Sequence, residues 1–394
     1  MERHTHDPAR RMLLRQALAF AGAAALTGAS GCATTTPAAT IPGAAPLSDP
    51  HPALGRILTR IGFGSCAEAT KPQPIWNAIH ERQFDLFVFL GDNIYGDTRD
   101  MSVLKAKYAE LAAQPGFARL RETTPVVAIW DDHDFGENDA GGDYPRKDES
   151  RQIFLDFWNV PAGSPRRDRD GVYGSYVFGP QGKRVQVILP DLRYNRTSLT
   201  PLELGGADYK AWASKRLAAG LEVPGPHARN PDHEATMLGE RQWQWLERQL
   251  EVPADLRLIG SSVQVLADFT GWESWAVFAR DRERLIDLIR RKNASGVVFL
   301  SGDVHYAELS KQDLNVPYTL WDLTSSGLTE EWKVPTPNAN RASEVVTDAN
   351  FGFIEIAWQD RQTQLTLGIA DATGKTRMSW ELALANLAAG APRA

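Results

Sequence analysis

Cysteine is scarce in this chain: there are two in 394 residues, Cys32 and Cys66. Long basic runs are missing and the formal net charge is −6. The clustered positive footprint of a duplex-binding protein is therefore absent. Beyond the N-terminal segment, no stretch approaches the roughly 18 apolar residues that a membrane span needs. No internal repeat is visible. What remains, 43% hydrophobic and 23% charged residues, is the composition of an ordinary globular protein with ample chain for a buried core. An acidic balance is also no simple attractor of anions, so an anionic substrate requires local neutralisation.

The N-terminus carries a paired-arginine pattern, Arg10-Arg11-Met12-Leu13-Leu14-Arg15. An Ala-rich apolar stretch follows, then Ala29-Ser30-Gly31-Cys32. Basic, apolar and small residues in that order form a secretory signal, and the paired arginines point to twin-arginine export. Residues 1–33 are read as this signal, with Cys32 as an alternative lipidation site. Residues 34–52, rich in Ala, Pro and Thr, are read as a disordered linker, and 53–394 as the folded domain. The expected location is periplasmic or extracellular, with the export machinery as a partner and membrane contact only through a lipid on Cys32. Cys66 is then left alone in an oxidising compartment, either as a small buried hydrophobe or as a metal-bound thiolate.

The body alternates strand-like and helix-like segments, which predicts an α/β (α+β) fold. Strands are expected at 57–63, 85–90, 125–130, 174–179, 184–189, 256–263 and 296–301, and a strand-rich tail with a hairpin near Asp360. Helices are expected at 74–82, 103–112, 149–158, 239–250 and 280–291, and a loop insertion at 195–237. Four apolar strands end in polar residues: Gly64-Ser65-Cys66, Gly91-Asp92, Asp131-Asp132-His133 and Gly302-Asp303-Val304-His305. Ligand sites gather beyond the carboxyl ends of such strands, so these four clusters can converge.

Several carboxylates at one point repel each other, and a pair of cations removes that problem. Two metals roughly 3.5 to 4 Å apart can clamp both oxygens of an in-line displacement at phosphorus. Thiolate, phenolate and imidazole on one side suit a transition metal such as iron; carboxylates and amide oxygens on the other suit calcium or manganese.

These residues resemble the alkaline phosphatase D branch of the calcineurin-like metallophosphoesterases. The resemblance rests on Gly64-Ser65-Cys66, Gly91-Asp92-Asn93-Ile94-Tyr95-Gly96, Trp130-Asp131-Asp132-His133-Asp134, Asn138-Asp139-Ala140-Gly141 and Ser301-Gly302-Asp303-Val304-His305, in that order. It implies a four-layer sandwich of two mixed β-sheets flanked by helices. It implies Fe(3+) plus Ca(2+), with Mn or Zn as alternatives. Asp92 would bridge the metals, Cys66, Tyr95 and His305 would hold the iron, and Asp132 and Asp303 the calcium. His133 and Asn138 would contact substrate, Asn138 alternatively the second metal. Gln264 stands where many such enzymes place a His ligand. Arg146 and Arg151 are read either as solvated helix charges or as phosphate contacts. Asp131 is read as supporting a ligand, Asp139 as a turn residue, and Trp272 and Trp275 as core or site wall.

The expected activity is hydrolysis of phosphate monoesters or diesters, small or lipid-like, by a metal-bound hydroxide. Phosphodiesterase, phospholipase-D-like or phosphotriester chemistry is the first alternative. A calcium-dependent surface binding module without turnover is the second, disfavoured by the soft thiolate of Cys66.

Overall fold

The structure, a computed structural model, describes residues 48–202, 209–232 and 234–391. The export signal, Cys32 and most of the expected linker lie outside the described residues. In chain order the first half contributes β1 (Arg60–Gly64), α1 (Ile75–Glu81), β2 (Leu86–Leu90), α2 (Met101–Ala113), α3 (Pro115–Thr123), β3 (Val126–Ile129), α4 (Asp132–Phe135), α5 (Lys147–Phe157), β4 (Gly174–Phe178) and β5 (Val185–Leu189). The insertion follows, with two-residue strands β6 (Thr200–Pro201) and β7 (His227–Ala228) around α6 (Tyr209–Ala218). The second half is α7 (Glu240–Leu250), β8 (Leu256–Ser261), α8 (Ala279–Arg291), β9 (Val297–Ser301), β10 (Ala307–Gln312), β11 (Leu320–Ser325), β12 (Asn350–Ala357), β13 (Gln364–Asp371) and β14 (Thr376–Ala383).

Two six-stranded mixed sheets result, ordered β14-β13-β12-β1-β2-β3 and β10-β11-β9-β8-β5-β4. The parallel strands β1-β2-β3 form one end of the first sheet, with β3 at its edge, and β5-β8-β9-β11 form the middle of the second, between antiparallel β4 and β10. A strand buried on both faces reads as a continuous apolar run, and β2, Leu-Phe-Val-Phe-Leu, is one. Its Val88 and Leu90 approach Gly260 of β8 in the opposite sheet. Phe89, on the other face, packs against Trp76 of α1, Phe117 of α3 and Trp158 after α5. The second sheet is covered by α7, whose buried Trp243, Leu246 and Leu250 form one helical stripe.

Two sequence expectations need correction. The folded part begins before residue 53: Asp49 is buried, pairs with both terminal nitrogens of Arg169 at 2.9 Å and accepts from the Ser175 amide. The His51 ring bonds the Val126 carbonyl at 3.2 Å. An Ala/Pro/Thr-rich composition gave no signal of these anchors. The 195–237 insertion is not a plain loop either, since it contains α6 and the β6–β7 pair.

Every parallel strand named above runs toward one edge of the sandwich. The next residues along the chain after β1, β2, β3, β9 and β11 therefore meet in one place.

Candidate metal centre

The turns at that edge are tight. Cys66, Asp92, Asp303 and His305 all have left-handed backbone, with φ of 63°, 47°, 79° and 58°. That region is sparsely used by residues other than glycine, and such outliers gather where a function demands a fixed side-chain direction. Gly91, at φ 104°, is needed for a further reason: a Cβ there would sit 2.5 Å from the Asp131 Cβ. Backbone bonds lace the turns together, from Cys66 to the Gly91 carbonyl, Ala67 to Asp92, Gly96 to His133 and Thr329 to Cys66. The Asp134 carboxylate closes the clasp by accepting from the Asn93 side chain and the Asp131 amide.

Two groups of ligand atoms come together, Cys66 with Asp92 and His305, and Asp92 with Asp132 and His133. Within each group the ligand atoms lie within 4.8 Å of one another. Asp92 belongs to both. The Cys66 thiol lies 3.4 Å from Asp92 Oδ2 and 3.2 Å from the Ser326 hydroxyl. The Tyr95 hydroxyl lies 3.3 Å from His305 Nε2, which adds a phenol to the first group. On the second side, Asp132 Oδ2 accepts from the Asp139 amide at 2.7 Å, and His133 Nδ1 donates to Asp97 at 2.7 Å.

Asp303 joins neither group at that reach. Burial, then the charges of Asp131 and Asp132, push its carboxyl far above the usual range. Asn138 is exposed and lines a cleft of ≈ 300 Å³ with Arg99, Asp139, Ser198 and His227. A larger cavity of ≈ 620 Å³, between His51 and Tyr176, includes no member of the cluster.

Two expected contacts, Arg146 and Arg151, are not brought to the site. Arg146 is half exposed and pairs with Glu149 one turn along α5, at 3.2 Å. Adjacency to the motif in sequence did not survive the outward turn of that helix. Arg151 donates to the Arg167 and Arg169 carbonyls. The Gln264 amide nitrogen donates to Glu308 at 2.9 Å and Thr324 at 3.1 Å, which fixes the direction of its side chain. Trp275 is core, its indole N–H on Ser261, whereas Trp272 stays partly open.

One part of the site went unread in the sequence. Arg193 is fully buried, with its Nε at 2.6 Å from Asp131, Nη1 at 2.6 Å from Glu273 and Nη2 at 3.7 Å from Asp132 Oδ1. Arg196 pairs with the second oxygen of Glu273 at 2.9 Å. The signal was available: Pro190-Asp191-Leu192-Arg193 follows the apolar β5 as the other clusters follow their strands.

The electrostatics explain why a cation fits. Burial, then repulsion from Asp132, pushes the Asp92 carboxyl well above the ordinary range. Burial first, with the charge of Asp132 behind it, lifts Asp131 and Asp134 to about 7. Burial would raise Asp132 too, but Arg193 and His133 outweigh it and hold it low. Burial pushes the Cys66 thiol up and lowers His305 to about 4. Asp92 Oδ1 is buried with no hydrogen-bond partner. A buried, unpaired carboxylate oxygen is costly, and a cation at the shared Asp92 would satisfy it. Neutral imidazole, thiolate and carboxylate are the forms a metal binds.

A pH dependence follows. Carboxyls raised from 3.8 to about 7 on folding stabilise the fold only when protonated, so their support fades as pH rises through that window. Metal binding instead takes the deprotonated forms and strengthens with pH. The gap in Tm between metal-loaded and chelator-treated protein is expected to widen from about pH 5 to about pH 8. Scanning calorimetry of both forms checks it; a gap that narrows would mean the carboxylates hold no metal.

Residues 61–366 match the family model described as PhoD-like phosphatase. A curated relative, alkaline phosphatase D of Bacillus subtilis (strain 168), is 26% identical over 270 residues, covering 57% of this chain and 42% of that protein. The chain thus spans less than half of that relative's length. A solved structure described as PhoD superposes with a TM-score of 0.61 at 16% identity, over 85% of this chain and 70% of the other. GAP50, described as the anchor in the inner membrane complex of Plasmodium, gives 0.50 at 12% identity, over 83% and 89%. Structural likeness at these identities speaks for the fold alone. The family match runs from β1 into β13 and takes in all the residues of both ligand groups, and on that ground the chain belongs to the PhoD-like phosphatase family.

Proposed function

We propose that the chain is an exported, metal-dependent phosphoesterase, and the observation that carries this reading is the pair of ligand groups sharing Asp92. Cys66, Tyr95, His305 and Asp92 would hold one cation, and the thiol and phenol favour iron there. Asp92 and Asp132, with Asp303 near by, would hold the second, and carboxylates favour calcium or manganese. Bound cations supply an activated water at neutral pH and offset charge on the phosphoryl oxygens.

The chain's own residues do the rest. Asp97 accepts the Nδ1 proton of His133, which fixes the ring and leaves Nε2 to carry the proton that the leaving alcohol needs. Burial opposes that charge, but Asp132, Asp92 and Asp97 raise the His133 imidazole to about 11 in the absence of a cation. The His133 ring packs against Tyr95, centroids 4.4 Å apart and planes tilted by 37°, so it is held from a second side. Arg193 is too deeply committed to Asp131 and Glu273 to meet substrate; it orients Asp131 and Asp132 instead.

The test is hydrolysis of nitrophenyl mono- and diesters by protein purified with its metals. Turnover abolished by chelator and restored by metal is expected; metal-replete protein inert to every phosphoester overturns the reading in favour of a binding module. A preference for the diester would favour the phosphodiesterase alternative. His133→Asn is expected to lower kcat about 10²–10⁴-fold on alkyl esters, and much less on nitrophenyl esters, whose alcohol leaves without a proton. Equal losses on both would remove His133 from the acid role.

Export rests on the paired Arg10-Arg11 and the apolar stretch after them, which we read as a twin-arginine signal directing the enzyme to the periplasm or beyond. No helix among the described residues is long and apolar enough to cross a membrane. Lipidation at Cys32 stays an open alternative for attachment.

A further inference from the structure

The indoles of this chain fall into two classes. Trp130, Trp243 and Trp275 are completely buried and belong to the core. Trp332 is 37% exposed, and Trp272 is partly open. These two lie edge to face, with ring centroids 5.8 Å apart. Tyr209 continues the row, edge-on to Trp272 at 5.6 Å, and Trp212 follows at 5.7 Å from Tyr209. Trp332 is the exposed end of the row, while Trp272, Tyr209 and Trp212 are half-buried; a run of partly open aromatic rings is a surface that an apolar group can cover.

The row starts at the metal centre on two counts. The Trp332 amide donates to the carbonyl of His305 at 2.8 Å, so the backbone that carries the indole is tied to a ligand-bearing turn. Trp272 is the immediate neighbour of Glu273, which holds Arg193 and Arg196. The insertion then fixes the outer half. Its Gly225 amide bonds the Thr270 carbonyl at 2.8 Å and its His227 amide bonds the Gly271 carbonyl at 2.9 Å. A Cβ on Gly225 would lie 2.2 Å from the Trp272 amide, so the two backbones touch. His227 reaches the other rim through its 3.3 Å contact with Asp139, whose amide supports Asp132. The Tyr209 hydroxyl is held by the Pro224 carbonyl at 3.0 Å. The rings are thus preset on rigid backbone, which keeps the ordering cost of binding low.

We propose that Trp332, Trp272 and Tyr209 form the subsite for the alcohol portion of the ester, and that this portion is a bulky apolar group, an aryl ring or an alkyl chain. The inference rests on the phosphoesterase reading and deepens it. A small polar alcohol would leave the row in water; an apolar one removes both surfaces from it. The insertion is therefore the element that sets substrate class.

The experiment compares kcat/KM for naphthyl phosphate, dodecyl phosphate and glycerol phosphate in the metal-loaded wild type, Trp332→Ala and Trp332→Phe. Trp332→Ala is expected to lower the selectivity for an apolar ester over glycerol phosphate about tenfold, through KM, and Trp332→Phe to restore most of it. A loss confined to naphthyl phosphate assigns the subsite to aryl esters, and one confined to dodecyl phosphate to lipid-like esters. An unchanged selectivity ratio overturns the proposal, because a structural role would lower all three rates together. Binding of naphthylmethylphosphonate, followed by tryptophan fluorescence, gives a readout independent of turnover. If the wild type hydrolyses nothing, the phosphoesterase reading fails on its own; equal phosphonate binding by wild type and Trp332→Ala then also sinks the subsite, and weaker binding by the variant upholds it.

Discussion

Asp92→Asn is expected to abolish activity, by at least about a thousandfold in kcat/KM, while leaving the chelator-treated protein no less stable than the wild type. The two halves have one cause. Asp92 is the only residue shared by both ligand groups, so its loss withdraws a ligand from each. Metal contributions of several kcal/mol to transition-state charge convert to that loss at about 1.4 kcal/mol per decade. For stability the sign reverses. Burial and Asp132 already oppose the Asp92 charge, and its Oδ1 lacks a partner. An amide of the same shape removes that penalty, and Asn tolerates the left-handed backbone found there. Residues kept for function at the expense of stability behave in this way. Assay and thermal melting of the variant check both halves. A variant that unfolds would make Asp92 structural; one that retains activity would remove it from the site.

Arg193→Met should do the opposite and destabilise the fold by about 3–5 kcal/mol, since it strands the buried carboxylates of Asp131 and Glu273. Lysine at this position would not rescue it, because one ammonium cannot reproduce the fork that meets both carboxylates. Adding Asp131→Asn to Arg193→Met is expected to recover part of the loss, and a double-mutant cycle by denaturant unfolding measures how much. If Arg193→Met melts like the wild type, the buried ion network is not what holds Asp131 and Asp132 in place.

The contrast between these two residues also marks what could be read from the chain alone. Asp92 was legible because it follows a pure apolar strand and a glycine, a local pattern repeated at Cys66 and Asp303, while Asp132 follows an apolar strand without the glycine. The four clusters converge because their strands are parallel, and parallel order follows from alternating strands and helices. Arg193 was not read, because its partners lie 62 and 80 residues away and the strand-end pattern at Pro190-Asp191-Leu192-Arg193 does not by itself show that the arginine is buried. Arg146 failed for the complementary reason: closeness in sequence to His133 says nothing about which way the residue that precedes α5 points. The His51 and Asp49 anchors lay hidden in a stretch whose composition is that of a linker.

The central claim is that Cys66, Asp92 and His305 hold one metal ion, and Asp92 and Asp132 a second. Elemental analysis of protein purified through its own export route tests it most directly, with Cys66→Ser and Asp92→Asn analysed beside it. Two metal equivalents per chain in the wild type, one in Cys66→Ser and none in Asp92→Asn are expected. Equal metal content in all three proteins, or none in any of them, would contradict it.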